Sequence, residues 1–293
     1  MFKTIVTHSG SFHADEALAV FMLRTLPKYS AETHKVIRTR DPEIIAKADI
    51  VVDVGGEYDS SRSRFDHHQR GFTETYSEKY NIKLSSAGLV YKHFGKSVIE
   101  ILLEKIETKV KLDVDEIVAR VYEKLILAFD AVDNGVNMYE SDIVARYENP
   151  TTIGARVGRL NPEWHQEFSD TEKDERFLQA VALCGEEFVY WVNYFAKVWV
   201  PCRQIVKDAL VQSLKIDPTG QIVVLERWCP WNSHLVELEI CKVLYVIYGD
   251  DKGYRVQAVS LTPGSFDSRK ALPEPWRGVR DEALSELTGV HGI

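Results

Sequence analysis

Between residues 3 and 55 the chain alternates short β-rich runs with helical ones, a pattern that closes as a parallel sheet with helical crossovers. Lys3 to Thr7 forms the first β-rich run, a Gly/Ser loop follows, and EALAVFMLRTL (16–26) has the composition and periodicity of a helix. Asp15 stands at its N-cap position and Pro27 closes it. HKVIRTR (34–40) reads as a second strand. Asp41 at N-cap and Pro42 at N1 then open a short helix through Ala48. DIVVDVG (49–55) reads as a third strand, apolar enough to be buried on both faces. In such sheets the loops leaving the C-terminal ends of the strands line the ligand crevice.

Residues with metal-ligand chemistry mostly follow apolar runs that look like a strand or helix. They form four clusters: His8, His13 and Asp15 within THSGSFHADEA (7–17); Asp53; Asp66, His67 and His68; and Asp130 with Asp133 in AFDAVDNG (128–135). Each has an ordinary explanation alone, since Asp15 can cap a helix, His13 can sit on a surface loop and Asp53 can close a turn. Consecutive histidines after a carboxylate have no packing rationale. Asp130 and Asp133 share one helical face at a helix C-terminus, where the dipole disfavours anions unless a cation neutralises them. Carboxylates and imidazoles without thiolates suit manganese, magnesium or iron better than structural zinc. Jointly the clusters read as a two-metal hydrolase site, in which ions roughly 3.5–4 Å apart share a bridging carboxylate and an attacking hydroxide. Asp53, at the centre of the sheet, is the candidate bridge. His68 suits a phosphate contact or proton donor, and Arg70 offers a guanidinium fork for phosphate. Walker, GxSxG and βαβ-placed GxGxxG motifs are absent from the sequence.

Beyond the third cluster, Ser85 and Ser86 start a helix over 87–95 that Gly95 is expected to end, with further helices over 98–109 and 115–135. Residues 150–171, with Pro150 and Pro162, read as a domain junction. A long amphipathic helix over 172–200 follows, which Pro201 should kink or break. Segments 222–226, 240–248 and 254–261 are β-rich, and a basic stretch over 268–280 carries Arg269, Lys270, Trp276, Arg277 and Arg280. This organisation predicts an α/β fold with a parallel-sheet metal domain (1–169), then a long helix and a smaller β-rich α/β substrate domain (170–293), with catalysis in the cleft between them. At 45% hydrophobic and 27% charged residues the chain reads as soluble and globular, with no apolar stretch of membrane-spanning length and no N-terminal signal peptide. Its net charge of −8 argues against nonspecific duplex binding. Cys184, Cys202, Cys229 and Cys241 have no CxxC spacing and read as buried free thiols of a reducing compartment.

The chain resembles the DHH phosphoesterase superfamily at Asp66-His67-His68, and more closely its Myg (melanocyte proliferating gene) exonuclease branch. THSGSFHADEALAVFMLR (7–24), RFDHHQRGF (64–72), KLSSAGLVYKHFG (83–95), AVDNG (131–135), RVQAVSL and SFDSRKALPEPWRG carry that likeness over nearly the whole chain. The resemblance implies a 3′-to-5′ RNA exonuclease of nucleus and mitochondrion, dependent on two divalent ions, manganese ahead of magnesium. It implies metal ligands at His8, His13, Asp15, Asp53, His67 and Asp133, with Asp53 bridging. His68 would touch substrate, Asp66 would stand behind the ligands or be an alternative ligand, and Asp130 is the alternative to Asp133. Arg70, Arg269 and Lys270 are the candidate substrate contacts, with RNA or a short oligonucleotide as the partner and no membrane. The first motif departs from the superfamily's HxxxDxD by one extra residue and by His13 in place of an Asp, which makes His8 the least secure ligand. The family pattern continues past Gly292-Ile293 into a glycine-rich, substrate-binding segment, so the sequence reads as ending short of it. Alternative readings are a hydrolase of a small phosphoanhydride or cyclic dinucleotide, and a non-catalytic, metal-stabilised interaction module.

Overall fold

Strand β1 (Lys3–Thr7) lies inside a five-stranded sheet of order β2-β1-β3-β5-β4. The computed structural model describes residues 3–140, 143–144, 146–238, 242–250, 253–262 and 264–292. They form two compact units, Met1–Phe195 and Ala196–Ile293. In the first, β2 (His34–Arg38), β3 (Ile50–Val52) and β5 (Arg64–Phe65) run parallel to their neighbours, and only the edge strand β4 (Tyr58–Asp59) is antiparallel. Ile5, Val6, Ile50, Val51 and Val52 are fully buried, as expected for strands covered on both faces. From β1 the chain moves outward to β2 and then returns to place β3 on the other side. The strand order therefore reverses at β1/β3, the position where open α/β sheets form a crevice.

The helices follow the sequence reading with local physical corrections. Helix α1 (Ala14–Thr25) is capped by His13, so Asp15 sits inside its first turn and is buried. Helix α2 (Pro42–Lys47) starts as expected, with Asp41 Oδ1 accepting from Glu43 N at 2.8 Å. Ser85 caps α3, which runs unbroken from Ser86 to Leu103. Gly95 does not end α3, because the Tyr91 ring occupies the space a side chain would take: a Cβ there would lie 2.8 Å from it. Packing thus outweighs the helix penalty of glycine, about 1 kcal/mol. The segment expected as one helix over 115–135 is α4 (Val114–Val121), a π turn (Tyr122–Ile126) and α5 (Leu127–Asp133).

Residues 150–171 hold a short helix, α6 (Ile153–Gly158), and Asn161, whose side chain binds both backbone groups of Phe12 at 2.9 Å. This segment therefore packs on the first-cluster loop. Helix α7 (Asp170–Tyr194), opened by a Ser169/Glu172 capping box, packs against α1 and α3. Next to Pro201 the regular α-helix is interrupted: a π turn (Phe195–Trp199) follows α7, and α8 (Val200–Ser213) opens with Pro201 in its first turn, where a missing N–H costs least.

The second unit contains a three-stranded sheet, β6 (Ile222–Leu225), β7 (Tyr245–Asp250) and β8 (Gly253–Ala258), with β6 parallel and β8 antiparallel to β7. Helices α8, α9 (Trp231–Glu237) and α10 (Asp281–Thr288) complete it, around a core that includes Val206, Val223, Leu225, Trp231, Val246 and Val259. The strand expected over 240–248 begins at Tyr245, and Ile240 and Cys241 lie outside the described residues. Cys184, Cys202 and Cys229 are buried free thiols. Among the described residues no helix is long and apolar enough to cross a membrane.

Candidate metal centre

Strands β1, β3 and β5 end side by side, and each hands directly to a candidate ligand: Thr7 to His8, Val52 to Asp53, Phe65 to Asp66-His67. Asp53 turns the chain in the left-handed region, φ 56°, a conformation Asp tolerates better than most side chains. Its carboxylate lies between two imidazoles, with His8 Nε2 3.4 Å from Oδ2 and His67 Nε2 3.5 Å from Oδ1. His8 Nε2 also meets Glu16 Oε1 at 2.9 Å, and His67 Nε2 meets Asp133 Oδ2 at 2.9 Å. Ligand atoms of His8, His13, Glu16 and Asp53 lie within 4.8 Å of one another, as do those of Asp53, His67 and His68, and those of His13, Asp15 and Asp133. The four sequence clusters thus converge on one centre, and Asp53 belongs to two of the three groups.

Asp66 and Asp130 are turned to other work. Asp66 Oδ2 accepts from Gly56 N at 2.6 Å, while Oδ1 accepts from His68 N at 3.0 Å and sits 2.9 Å from His68 Nδ1. This anchors His68, whose side chain is 62% exposed, and leaves its Nε2 for other partners. Asp130 Oδ1 accepts from Ser85 N (2.9 Å) and Ser85 Oγ (2.7 Å), and Oδ2 accepts from Tyr122 OH (3.0 Å). Its carboxylate therefore ties α5 to the start of α3, and of the Asp130/Asp133 pair it is Asp133 that enters the cluster. Arg70 is exposed. Arg269 and Lys270 belong to the second unit, where the Arg269 guanidinium donates to Val243 O at 3.0 Å and Trp276 is 39% exposed rather than packed in the core.

The residue that sequence reasoning missed is Glu16. It is fully buried, receives the His13 backbone N–H at 2.7 Å and faces His8. Its signal was its position three residues after the cap, the capping-box spacing, although that spacing alone marks a helix start rather than a ligand. Two arginines missed by the motifs brace the same loop: Arg38 Nη2 donates to Gly10 O at 2.6 Å and Arg40 Nε to Ser9 O at 3.2 Å.

The electrostatics of the centre call for cations. Asp15 Oδ1, Glu16 Oε2, Asp53 Oδ1, His67 Nε2 and Asp133 Oδ2 are buried without a hydrogen-bond partner. His67 Nε2 and Asp133 Oδ2 approach closely yet are not aligned as a hydrogen bond. Orphaned buried polar atoms are rare in folded proteins, and five of them on residues of three linked ligand groups fit divalent ions. Burial opposes charge on His8, but its contacts with Asp53 and Glu16 outweigh it and push its pKa up to about 10. His67 is likewise pushed up to about 10, against burial, by Asp133 and Asp53. Despite its own burial, the contacts with His67 and His8 hold the Asp53 carboxyl well below the usual range. Burial, then the charges of Asp53, Glu16 and Asp133, drive Asp15 well above it. A divalent ion held here would need His8 and His67 neutral, since metal ligands bind deprotonated.

The fold and site define an α/β protein with a candidate metal centre at the C-terminal ends of parallel strands. The family model MYG1_exonuc, described as "Uncharacterised protein family (UPF0160)", matches residues 4–293, and the chain belongs to that family. It is 44% identical over 295 residues to the "MYG1 protein" of Dictyostelium discoideum, covering 99% of this chain and 88% of the relative. It is 47% identical over 300 residues to the "MYG1 exonuclease" of Rattus norvegicus, covering 98% and 77%. The "MYG1 exonuclease" of Homo sapiens is 46% identical over 304 residues, covering 98% and 78%.

Proposed function

We propose that this protein is a metal-dependent exonuclease that hydrolyses phosphodiester bonds of RNA from the 3′ end. The rat and human relatives carry the name exonuclease. The observation that carries the chemistry is the convergence of orphaned ligand atoms on Asp53. His8, Glu16 and Asp53 would hold one divalent ion, Asp53, His67 and Asp133 a second, with His13 and Asp15 closing the side between them. Such ions, manganese first for this nitrogen and oxygen donor set, supply an acidified water and neutralise charge on phosphoryl oxygens.

The chain's own residues do the remaining work. Asp66 holds His68 by its Nδ1, so that an exposed Nε2 can contact a phosphate oxygen or deliver a proton to the leaving group. Arg70, two residues on and exposed, offers a bidentate fork to a neighbouring phosphate. The second unit, with Lys270 and the exposed ring of Trp276, would hold the strand. Buried free thiols fit a reducing compartment.

The test is metal analysis of the purified chain followed by a screen of RNA, DNA, pyrophosphate and cyclic dinucleotides with wild type and Asp53→Asn. Asn tolerates the left-handed backbone of position 53, so the variant removes charge without strain. Metal content and RNA hydrolysis should fall together while the fold persists. Wild-type turnover by a folded Asp53→Asn protein, or a chain active only on pyrophosphate or cyclic dinucleotides, would refute the proposal.

A further inference from the structure

A second cationic site lies in the first unit, where the edge strand β2 meets the last turn of α1 and the first half of α7. Arg24, His34, Lys35, Arg38, Asp174 and Phe177 are among the residues lining a cavity of about 250 Å³ there. That is smaller than the roughly 300–1,000 Å³ of pockets for drug-sized ligands, and suits a small ion.

Three buried nitrogens in this wall have no hydrogen-bond partner: Arg24 Nε, His34 Nε2 and Arg38 Nε. Arg24 makes no hydrogen bond or ion pair with any described residue, and its guanidinium loses solvation on burial. His34 is 1% exposed. Its Nδ1 sits 2.9 Å from Thr33 Oγ1; with that hydroxyl's one proton donated to Lys28 O or Ser30 O, Nδ1 is the donor and Nε2 the acceptor of a neutral ring. The Arg38 side chain is 4% exposed and lies over Phe12 and Phe177. Asp174, the carboxylate of the lining, is 58% exposed and 3.5 Å from Arg38, a weak counter-charge. Arg24, partly buried, has no carboxylate partner among the described residues and Arg38 only an exposed one at 3.5 Å, so the lining favours an anion.

We propose that this cavity binds a phosphate group, separately from the metal centre. Arg24 and Arg38 donate to its oxygens, and His34 Nε2 accepts from a protonated oxygen, which a phosphate carries near neutral pH and a sulfate does not. The inference does not rest on the hydrolytic reading, since none of these side chains is a candidate metal ligand.

Calorimetric titration of inorganic phosphate into the full chain tests it, in an Asp53→Asn background so that phosphate held at the metal centre does not contribute. Binding should persist there, weaken at least tenfold on adding Arg24→Met, and exceed sulfate binding. Ala31→Phe, at the exposed mouth of the cavity, should weaken it similarly while leaving every cation in place. Comparison with adenosine monophosphate identifies the source: tighter phosphate binding assigns the free ion, and tighter nucleotide binding assigns the phosphate of a nucleotide. Absence of binding in the Asp53→Asn background, or affinity unchanged in both Arg24→Met and Ala31→Phe, would overturn the proposal.

Discussion

Replacing Gly88 by alanine should cost far more than a single methyl suggests. Gly88 lies in the first turn of α3, directly against the Asp130 carboxylate, and a Cβ there would sit 2.2 Å from Oδ1 and 2.7 Å from Cγ and Oδ2. Asp130 cannot yield freely, because Ser85 N, Ser85 Oγ and Tyr122 OH all hold it in a fully buried position. Overpacking of this kind costs about 1–3 kcal/mol. Disturbing hydrogen bonds to a charged group adds about 1.5–3 kcal/mol. The gain in helix propensity returns about 0.5–1 kcal/mol, leaving a net loss of roughly 1.5–5.5 kcal/mol. At about 2–4 °C per kcal/mol for a domain of this size, Tm should fall by roughly 3–20 °C. The mechanism is tested by a double-mutant cycle under urea denaturation. In an Asp130→Ala background the clashing atoms are gone, so Gly88→Ala should become neutral or slightly stabilising, with a coupling of about 2–6 kcal/mol. Equal costs of Gly88→Ala in the two backgrounds would refute the reasoning.

Asp130 also gives the fold a pH dependence. Burial, opposed by the bonds from Ser85 and Tyr122, lifts its pKa to about 6. The folded form therefore holds the proton more tightly than the unfolded chain. This contribution is full below the unfolded carboxylate range and is lost as pH rises through about 6. Urea titrations should accordingly show Asp130→Asn gaining stability relative to wild type between pH 4 and pH 8, by roughly 2 kcal/mol; a constant difference would count against it. Chelation should lower Tm and manganese should restore it better than calcium, measured by scanning calorimetry, because ions bind only the folded centre. Lys270→Ala should flatten the salt dependence of RNA affinity by about 0.7 in log–log slope while cleavage of a nitrophenyl phosphodiester is unchanged. Lys270 is the cleaner choice than Arg269, whose guanidinium holds the Val243 carbonyl.

Strands β1, β2 and β3 of the first sheet were legible as short β-rich runs, whereas β4 and β5, two residues each, left no such run in the sequence. His8 and Asp53 were legible because they follow such runs directly, after β1 and β3, and His67 because consecutive histidines after Asp66 have no packing rationale. What escaped depended on partners distant in sequence. Asp130 could not be told from Asp133 until Ser85, 45 residues earlier, was seen to hold it. Glu16 looked like an ordinary acidic residue in a first helical turn, and only the return of β3 beside β1 puts Asp53 and His8 over it. Gly95 read as a helix end because its propensity is local, whereas the Tyr91 ring that fills its place is a packing event. The arginines around the β2 cavity come from two different elements and form no motif at all.

The clamp of Asn161 on Phe12 has a bearing on the order in which the protein assembles. Its two hydrogen bonds join residues 149 apart in sequence, and they fix the loop between His8 and His13. Contacts of such separation are costly to close and form late in folding. A chain emerging from the ribosome has made His8, His13, Asp15, Asp53 and His67 well before Asn161 exists, so it carries ligands without the loop shape that aims them. A metal held at this centre would therefore depend on a loop that takes its final shape only once Asn161 is in place.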